Sequence, residues 1–364
     1  MNTGLKIREN VLLAPYTTFR IGGAARYFVD AGSEEEIAEA IGYARRKGLS
    51  VFLLGGGSNI LISDRGFDGL VIKVGIKGIS IAEIGDESES ESMHVTAKAG
   101  EDWDAFVEWC VANDLAGIEC LSGIPGLVGG TPIQNVGAYG QEVSESVVSV
   151  RVLDREDFSF LELAGTECDF GYRSSLFNTS GRERFAVLSV KYLLRKGGKP
   201  KIEYPDLVRV FDNFEPSLAE MRSAVCSIRA SKGMMTRQGG PDSQSAGSFF
   251  KNPVVSKEDR ARIENAARDM GLMKDHQTVP GFAMPGDLVK IPAAWLIERA
   301  GFPKGYLKGN AGLSTRHTLA LTNRGGATAN DILALRSEIS AKVRELFGVE
   351  LVQEPELVGF EADA

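Results

Sequence analysis

The chain has 364 residues, of which 43% are hydrophobic and 25% charged, so it has the composition of a globular protein and is not a largely disordered chain. At roughly 150 residues per domain, this length predicts two or three domains. Lys and Arg number 41 against 49 Asp and Glu, and the formal charge of -8 disfavours generic binding to nucleic acid. Four cysteines without a CxxC pair predict reduced thiols and a cytoplasmic protein, not a disulfide scaffold.

The first half of the chain mixes predicted strands and helices. Ser33 and Glu36 form a capping box, which predicts a helix that ends at Gly48. A second helix is predicted over 102–113, and an acidic, serine-rich stretch at 85–92 predicts a solvated hairpin loop. Apolar runs and alternation predict strands at 51–54, 60–63, 70–74, 94–98, 147–153 and 185–194.

The segment 120–141 contains no charged residue and is long enough to span a bilayer. Six glycines, Pro125, Pro132, Gln134 and Asn135 interrupt it, and these residues are too disruptive for an ordinary membrane helix. The segment therefore predicts a buried loop system, and no membrane insertion is expected.

The composition changes near Asn213, after which the chain becomes rich in predicted helices. A capping box of Ser217 and Glu220 predicts a helix at 218–232, and apolar spacing predicts further helices at 257–270, 293–300 and 328–347. Strands are predicted to follow at 349–352 and 357–360. These patterns predict an α+β protein with a domain boundary near residue 215.

Two glycine-rich segments are candidates for ligand binding. The first, GGGSN at 55–59, lies between two predicted strands, where it can form either an anion-binding nest or simply a tight turn. The second extends over 122–140. Because neither a Walker lysine nor a GxGxxG fingerprint is present, the sequence does not favour a P-loop or a Rossmann site. Two such loops in one domain suggest a long, phosphate-bearing ligand that lies across both.

Several polar residues stand beside small or apolar neighbours. Tyr172 and Arg173 follow a glycine, and Arg173 is either a clamp for a carboxylate or enolate or an ordinary surface arginine. Ser248 follows Gly247, in a turn where most serines only cap backbone groups. Glu356 lies among apolar residues, where a buried carboxylate is costly unless paired or functional. The three histidines are scattered, so no metal site is predicted.

Taken together, these strings resemble the UDP-N-acetylenolpyruvoylglucosamine reductase family of flavoenzymes. The matching strings occur in the family's order and cover nearly the whole chain: TTFRIGG at 17–23, GGGSN at 55–59, IPGLVGGTPIQNVGAYG at 124–140, FGYRSSLF at 170–177, AGSFFKNP at 246–253 and EPE at 354–356. Singly each string is ordinary, but the ordered set is highly specific.

The resemblance implies a PCMH-type, two-lobed FAD-binding domain followed by an α+β substrate-binding domain. In these terms the predicted divisions are a first FAD-binding lobe at 10–75, a second lobe at 76–214, the substrate-binding domain at 215–348, and a C-terminal strand at 349–364 that returns to the active site.

The resemblance also implies non-covalent FAD, with NADPH as the reductant and UDP-N-acetylglucosamine-enolpyruvate as the substrate. The positions that match the family's cofactor contacts are Gly55, Gly56, Gly57, Ser58, Asn59, Ile124, Asn135, Gly137, Ala138 and Arg229. Those that match substrate contacts are Tyr139, Tyr172, Tyr204, Lys232, Asn252 and His317. Tyr204 matches the tyrosine of a long-loop subtype, which closes over the bound UDP-sugar.

Arg173, Ser248 and Glu356 match the family's catalytic trio. In the implied reaction a hydride reaches the terminal enolpyruvyl carbon and leaves an enolate, which Arg173, together with Glu356, stabilises. Ser248 then protonates the adjacent carbon. Two other interpretations are a PCMH-fold FAD oxidase of another sugar or alcohol, and a non-catalytic nucleotide-sugar or flavin-binding protein. The first leaves AGSFFKNP and EPE unexplained, and the second has no use for the trio.

Overall fold

The computed structural model describes residues 4–83, 92–212, 214–235, 239–274 and 276–360, and its contacts divide the chain into two compact units. Both units are discontinuous in sequence. The first consists of Met1–Leu12, Ala24–Gly57 and Phe67–Ser231, and the second of Leu13–Gly23, Ser58–Gly66 and Lys232–Ala364.

The first unit begins with a four-stranded sheet and one helix. The strands are β1 (Arg8–Leu12), β2 (Ala24–Ala31), β3 (Ser50–Leu54) and β5 (Phe67–Val74), in the order β1-β2-β5-β3. Both β2 and β3 pair with β5 in parallel, while β1 runs antiparallel to β2. Helix α1 (Glu34–Lys47) buries Ile37, Ile41 and Ala44 in the same core as the sheet.

The first unit also contains a second, antiparallel sheet. Its strands are β6 (Ile79–Glu83), β7 (Ser92–Lys98), β8 (Leu115–Ala116), β11 (Val147–Asp154), β12 (Phe160–Ala164) and β13 (Phe185–Lys196). Their order is β12-β11-β13-β7-β6, with β8 also paired to β13. Helix α2 (Trp103–Ala112) contributes Trp103, which is fully buried with its ring centroid 6.1 Å from that of Tyr192.

The rest of the first unit consists of loops, a hairpin and two helices. The hairpin joins β9 (Gly137–Ala138) to β10 (Gln141–Glu142), and the helices are α3 (Pro205–Phe211) and α4 (Leu218–Ser231). Single turns of 3-10 helix stand at Glu119–Leu121, Val128–Gly130, Val143–Glu145, Gly165–Cys168 and Leu176–Asn178.

The second unit combines short sheets with three helices. A parallel pair joins β4 (Ile60–Ile62) to β20 (Glu356–Val358). The antiparallel sheets are β14-β16-β15 (Val254–Ser256, Leu288–Lys290 and Phe282–Ala283) and β17-β18-β19 (Leu307–Lys308, Ala311–Leu313 and Leu321–Asn323). The helices are α5 (Lys257–Asp269), α6 (Ala293–Arg299) and α7 (Ala329–Phe347), and a 3-10 turn occupies Ala14–Tyr16.

The structure confirms all six predicted helices to within one or two residues, and the strands predicted before residue 200. The strand predicted at 349–352 is wrong, because none of these four residues lies in a strand. The next residue, Gln353, forms only an isolated bridge with Phe250. The predicted loop at 85–92 lies outside the described residues except for Ser92.

The boundary predicted near residue 215 differs from the contact units, because α4 packs with the first unit. Met221 and Val225 of this helix join a buried cluster with Cys120 and Tyr139. The segments 13–23 and 58–66, which were expected in the first FAD-binding lobe, have their contacts with the second unit. Within the described ranges, no helix is both long enough and apolar enough to cross a bilayer.

Candidate active site

The two glycine-rich segments meet within the first unit. A Cβ atom on Gly56 would lie 2.7 Å from the Cα of Gly126, so a side chain there would displace the neighbouring backbone. Gly57 and Gly126 also have positive φ angles, of 62° and 129°, which glycine adopts without strain. Two backbone-lined loops therefore lie in contact, as expected for one ligand that spans both.

The second glycine-rich segment is held by charged side chains from two helices. Asp104 of α2 accepts a hydrogen bond from the N–H of Gly123 at 2.7 Å, and Arg222 of α4 donates to the same Asp104 oxygen at 2.6 Å. Arg229 of α4 donates from Nε to the carbonyl of Gly123 at 3.1 Å. The N–H and the carbonyl of Gly123 are thus both hydrogen-bonded, which fixes the backbone next to Ile124. The partly buried side chain of Ile124 packs against the core.

Asn135 connects the β9–β10 hairpin to the turn that carries Arg173. Its Nδ2 donates to Glu142 Oε2 at 2.8 Å and to the carbonyl of Gly171 at 3.1 Å, and its Oδ1 accepts from the N–H of Ser144 at 3.1 Å. These bonds use both Nδ2 hydrogens within the protein, whereas Oδ1 accepts only one hydrogen bond from the described residues and can accept two.

Arg173 lies in a tight turn that Gly171 and Ser174 close through two backbone hydrogen bonds. Its Nη2 donates to the carbonyl of Gly137 at 2.7 Å, and its guanidinium carbon lies 5.5 Å from the ring centroid of Tyr172. The structure therefore brings Arg173 together with two other predicted site residues, Gly137 through a hydrogen bond and Tyr172 through its ring, and Ala138 follows Gly137 in the same short strand.

Tyr139 and Tyr204 extend this patch. Their rings meet edge to face, with centroids 5.4 Å apart, and Tyr139 is only 7% exposed. Burial raises the pKa of Tyr139 to about 12, although the charge of Arg229 opposes the rise. Burial also raises the pKa of Tyr204 and lowers the pKa of Arg229. Both phenols are therefore neutral near pH 7 and can act as hydrogen-bond donors.

Ser248 and Glu356 belong to the second unit, where neighbouring backbone segments carry them. Next to Ser248, the carbonyl of Phe249 accepts from the N–H of Glu354 at 2.8 Å, and the N–H of Lys251 donates to the carbonyl of Val352 at 2.9 Å. Phe249 and Phe250 are buried and anchor this segment in the core of the second unit.

Asn59 connects the glycine-rich loop to the segment of Glu356. Its Nδ2 donates to the carbonyl of Glu354 at 3.3 Å, and its own carbonyl accepts from the N–H of Glu356 at 3.0 Å. The expectation of a buried carboxylate at 356 is wrong, because Glu356 is solvent-exposed in β20. Leu357, the next residue of the strand, packs against the core of the second unit, so Glu356 points to the opposite face.

Asn252, Lys232 and His317 also lie in the second unit. Asn252 Oδ1 accepts from the N–H of Ala293 at 2.9 Å at the start of α6, which leaves Nδ2 as the amide's group for a ligand. His317 Nδ1 accepts from the N–H of Leu319 at 3.1 Å. Burial, together with the charges of Lys232 and Lys304, lowers the pKa of His317 to about 4. His317 is therefore neutral near pH 7 and carries its proton on Nε2.

The predicted site residues thus form one connected patch in the first unit and a set of adjoining segments in the second, with Gly57 and Ser58 on either side of the division. Sequence reasoning missed Asp104 and Glu119. Glu119 is the last charged residue before the uncharged segment 120–141, and this position is the sequence feature that could have identified it. In the part of the chain that the structure describes, no group of three or more His, Cys, Asp and Glu is placed to hold a metal ion.

Comparisons with known proteins identify the family and the fold. An FAD binding domain family matches residues 25–158, and the C-terminal domain family of UDP-N-acetylenolpyruvoylglucosamine reductase matches residues 240–358. The reductase of that name from Thermobifida fusca is 45% identical over 96% of this chain and 98% of its own. The one from Saccharopolyspora erythraea is 44% identical over 95% of this chain and 94% of its own.

A crystal structure of UDP-N-acetylenolpyruvylglucosamine reductase from Thermus caldophilus has the same fold. Its TM-score is 0.63 at 24% identity, and the match covers 97% of this chain and 99% of the other. The α+β architecture with an FAD-binding domain followed by a substrate-binding domain is thereby confirmed. With relatives more than 40% identical along nearly its whole length, the chain belongs to the UDP-N-acetylenolpyruvoylglucosamine reductase family.

Proposed function

We propose that the protein reduces the enolpyruvyl ether of UDP-N-acetylglucosamine-enolpyruvate to UDP-N-acetylmuramate, with FAD as its cofactor and NADPH as the reductant. This reaction supplies a precursor of peptidoglycan. The observation that carries the proposal is the match to reductases of this name over nearly the whole chain. The two glycine-rich loops and the patch around Arg173 in the first unit support it.

The first unit fits a bound FAD. The contact between Gly56 and Gly126 leaves two backbone surfaces without side chains, which suits a pyrophosphate, and the buried guanidinium of Arg229 adds positive charge beside Gly123. Neither loop contains a histidine or cysteine that could bond covalently to a flavin. When bound, FAD supplies the hydride carrier between NADPH and the enolpyruvyl group.

Arg173 is proposed to bind the substrate carboxylate and to stabilise the negative charge that develops there. A planar guanidinium suits this task because it donates two parallel hydrogen bonds to a carboxylate. Glu356 assists only when protonated, or when bridged by a proton or cation, since an ionised carboxylate would repel the enolate. The Ser248 hydroxyl holds the proton that passes from Oγ to the carbon adjacent to the new C–H bond.

The remaining predicted residues are proposed to bind the UDP-sugar. Tyr139, Tyr172 and Tyr204 present phenol rings in the first unit. In the second unit Lys232 contributes a positive charge, while Asn252 and His317 contribute N–H donors whose orientation is fixed by the bonds to Ala293 and Leu319. A neutral His317 donates to an oxygen of the ligand without a change in protonation.

We also propose a cytoplasmic location and partners limited to these small molecules, with no nucleic acid. All four cysteines lie in the described ranges and are free thiols, three of them buried, which suits a reducing compartment. The net charge of -8 likewise gives no general attraction for nucleic acid.

The test is an anaerobic titration of the purified holoprotein, followed through its visible absorbance. NADPH is expected to bleach the flavin band, and UDP-N-acetylglucosamine-enolpyruvate to restore it. A band that only oxygen restores would point to an oxidase of another sugar or alcohol and would reject the substrate. Failure to take up any FAD would reject the flavin site itself.

A further inference from the structure

Glu119 is a buried carboxylate that the proposed reaction does not use. It lies in the 3-10 turn Glu119–Leu121 of the first unit and is only 1% exposed. A carboxylate removed from water is strongly unfavourable unless several donors satisfy its oxygens. The donors therefore identify what this residue holds.

Three N–H donors converge on Glu119, one from the neighbouring Gly117 and two from distant segments. Oε2 accepts from the N–H of Gly117 at 2.7 Å, while Oε1 accepts from the N–H of Lys201 at 3.1 Å and from Gln141 Nε2 at 3.3 Å. The neighbouring Cys120 adds a hydrogen bond to each of the two distant residues, Gln141 and Lys201. Its N–H donates to Gln141 Oε1 at 2.9 Å, and its Sγ donates to the carbonyl of Lys201 at 3.3 Å.

Glu119 and Cys120 bind the backbone of Lys201 and not its ammonium group. The ammonium group of Lys201 pairs with Glu145 at 2.8 Å and with Glu203 at 3.4 Å, both on the more exposed side of the segment. Glu119 and Cys120 instead bind the N–H and the carbonyl of Lys201, so they fix the path of the chain three residues before Tyr204.

Each of the two distant segments tied to Glu119 carries one of the two packed tyrosines. Lys201 precedes Tyr204, and Gln141 follows Tyr139 by two residues in the β9–β10 hairpin. The two rings meet edge to face beside Cys120 in one buried cluster. A single carboxylate thus sets the spacing between two segments whose tyrosines are proposed to contact the substrate.

We propose that Glu119 is a positioning residue that fixes the chain just before Tyr204 against the Tyr139 hairpin, and so determines the affinity for the UDP-sugar. This inference rests on the proposed function for its substrate. A carboxylate suits the task because its two oxygens accept from several donors at once, whereas a neutral amide of the same size would present an NH₂ group to one of them.

The first experiment compares Glu119→Ala and Glu119→Gln in the FAD-loaded protein. For Glu119→Ala, the KM for UDP-N-acetylglucosamine-enolpyruvate is expected to rise on the order of tenfold with little change in kcat, since misplaced contacts weaken binding. Glu119→Gln retains one acceptor and should show a smaller rise. The dissociation constant for FAD should stay unchanged in both. Glu156→Gln, a carboxylate that is 73% exposed and pairs with Arg184 away from this segment, is the control and should leave KM unchanged.

A double-mutant cycle with Tyr204→Leu separates positioning from general stability. If Glu119 acts through Tyr204, the Glu119→Gln substitution should have no further effect on KM once Tyr204 is absent. An equal rise in both backgrounds, or an unchanged KM in both Glu119 variants, would overturn the proposal. Should Glu119→Ala fail to fold, the cycle with Glu119→Gln alone distinguishes the two outcomes.

Hydrogen exchange tests the connection without any substrate. The amides of 200–204 should exchange faster in Glu119→Gln than in the wild-type protein, while those of β13 should not change. Equal exchange in 200–204 would reject the connection even if turnover were absent. Lack of turnover in the wild-type protein would reject the proposed function and would leave this measurement interpretable.

Discussion

Three of the predicted site residues adopt positive φ angles, which residues other than glycine rarely adopt. The φ angles are 45° at Asn135, 51° at Tyr139 and 52° at Arg173. Each such position costs about 1–3 kcal/mol and persists where surrounding bonds over-determine it. Here the Asn135–Gly171 and Arg173–Gly137 hydrogen bonds supply that constraint. The motif suggested which residues matter, but no local pattern announces this strain, because it arises from contacts between separate loops.

We expect Ser248→Ala to separate the two half-reactions. Reduction by NADPH should remain near normal, while reoxidation by the enolpyruvyl substrate should slow by the equivalent of a few kcal/mol (roughly a hundredfold or more), since only that step needs the Oγ proton. Stopped-flow absorbance measures each step. Ser243→Ala, in the same loop with its hydroxyl bonded to the Gly240 carbonyl, is the control. Equal slowing of both steps would reject the role of Ser248.

His317 should make the protein less stable in acid. Its folded pKa of about 4 lies below the ordinary 6.5, so between these values the unfolded chain binds a proton that the folded protein does not. The free energy of unfolding therefore falls as pH drops from 6.5 to 4, by on the order of 3 kcal/mol from this group. Urea titrations should show a smaller fall for His317→Gln. Parallel pH profiles for the two proteins would contradict the prediction.

At the scale of single elements, helices were predictable because their end signals are local. Ser33 accepts from the N–H of Glu36 at 3.1 Å, and Ser217 accepts from the N–H of Glu220 at 3.2 Å, as the two capping boxes in the sequence predict. The short strands β14 to β19 escaped prediction because two or three residues give too little alternation, and only a partner from elsewhere in the chain defines them. The run at 349–352 was wrongly predicted as a strand because its four residues are too few for their alternation to be decisive, and no strand in the described residues pairs with them.

Helix α1 is attached to the antiparallel sheet of the first unit through Glu34. This side chain, 14% exposed, bonds to Lys98 at 2.7 Å and to Arg151 at 3.0 Å, and these bonds lower its pKa against the opposing effect of burial. Glu34→Gln should lower the free energy of unfolding by about 1–2 kcal/mol at pH 7. The difference should vanish in acid, where the carboxylate is protonated. Glu35→Gln, exposed in the same helical turn, is the control in urea titrations, and equal losses in the two variants would reject the role of the ion pairs.

Helices α2 and α4 together should control FAD affinity through Gly123. Asp104→Ala removes both the acceptor for the Gly123 N–H and the partner of Arg222, so we expect FAD to bind on the order of tenfold more weakly. Asp104→Asn retains an acceptor and should lose less. Flavin fluorescence during titration of the apoprotein gives the dissociation constant. Glu108→Gln, also on α2 but 70% exposed, should behave as wild type, and an unchanged constant in Asp104→Ala would contradict the prediction.

At the scale of the whole molecule, the sequence predicted the fold, which is confirmed, and a set of site residues, which stays a prediction, but it did not predict the composition of the compact units. The change in composition near residue 215 is real, yet α4 joins the first unit through Met221 and Val225. Glu119 and Asp104 were missed for a related reason. Their importance lies in which distant backbone groups they bind, and a linear pattern of residue types does not encode such pairings.

The pairing of β4 with β20 has a consequence for how the protein is made. The bond from Asn59 to Glu354 joins residues 295 positions apart. On the ribosome, residues 58–66 must therefore wait for about 300 further residues to be synthesised before β20 emerges. A polypeptide that stops before residue 354 would lack both this strand and Glu356, so such an incomplete translation product should be unable to bring the second unit to its final form.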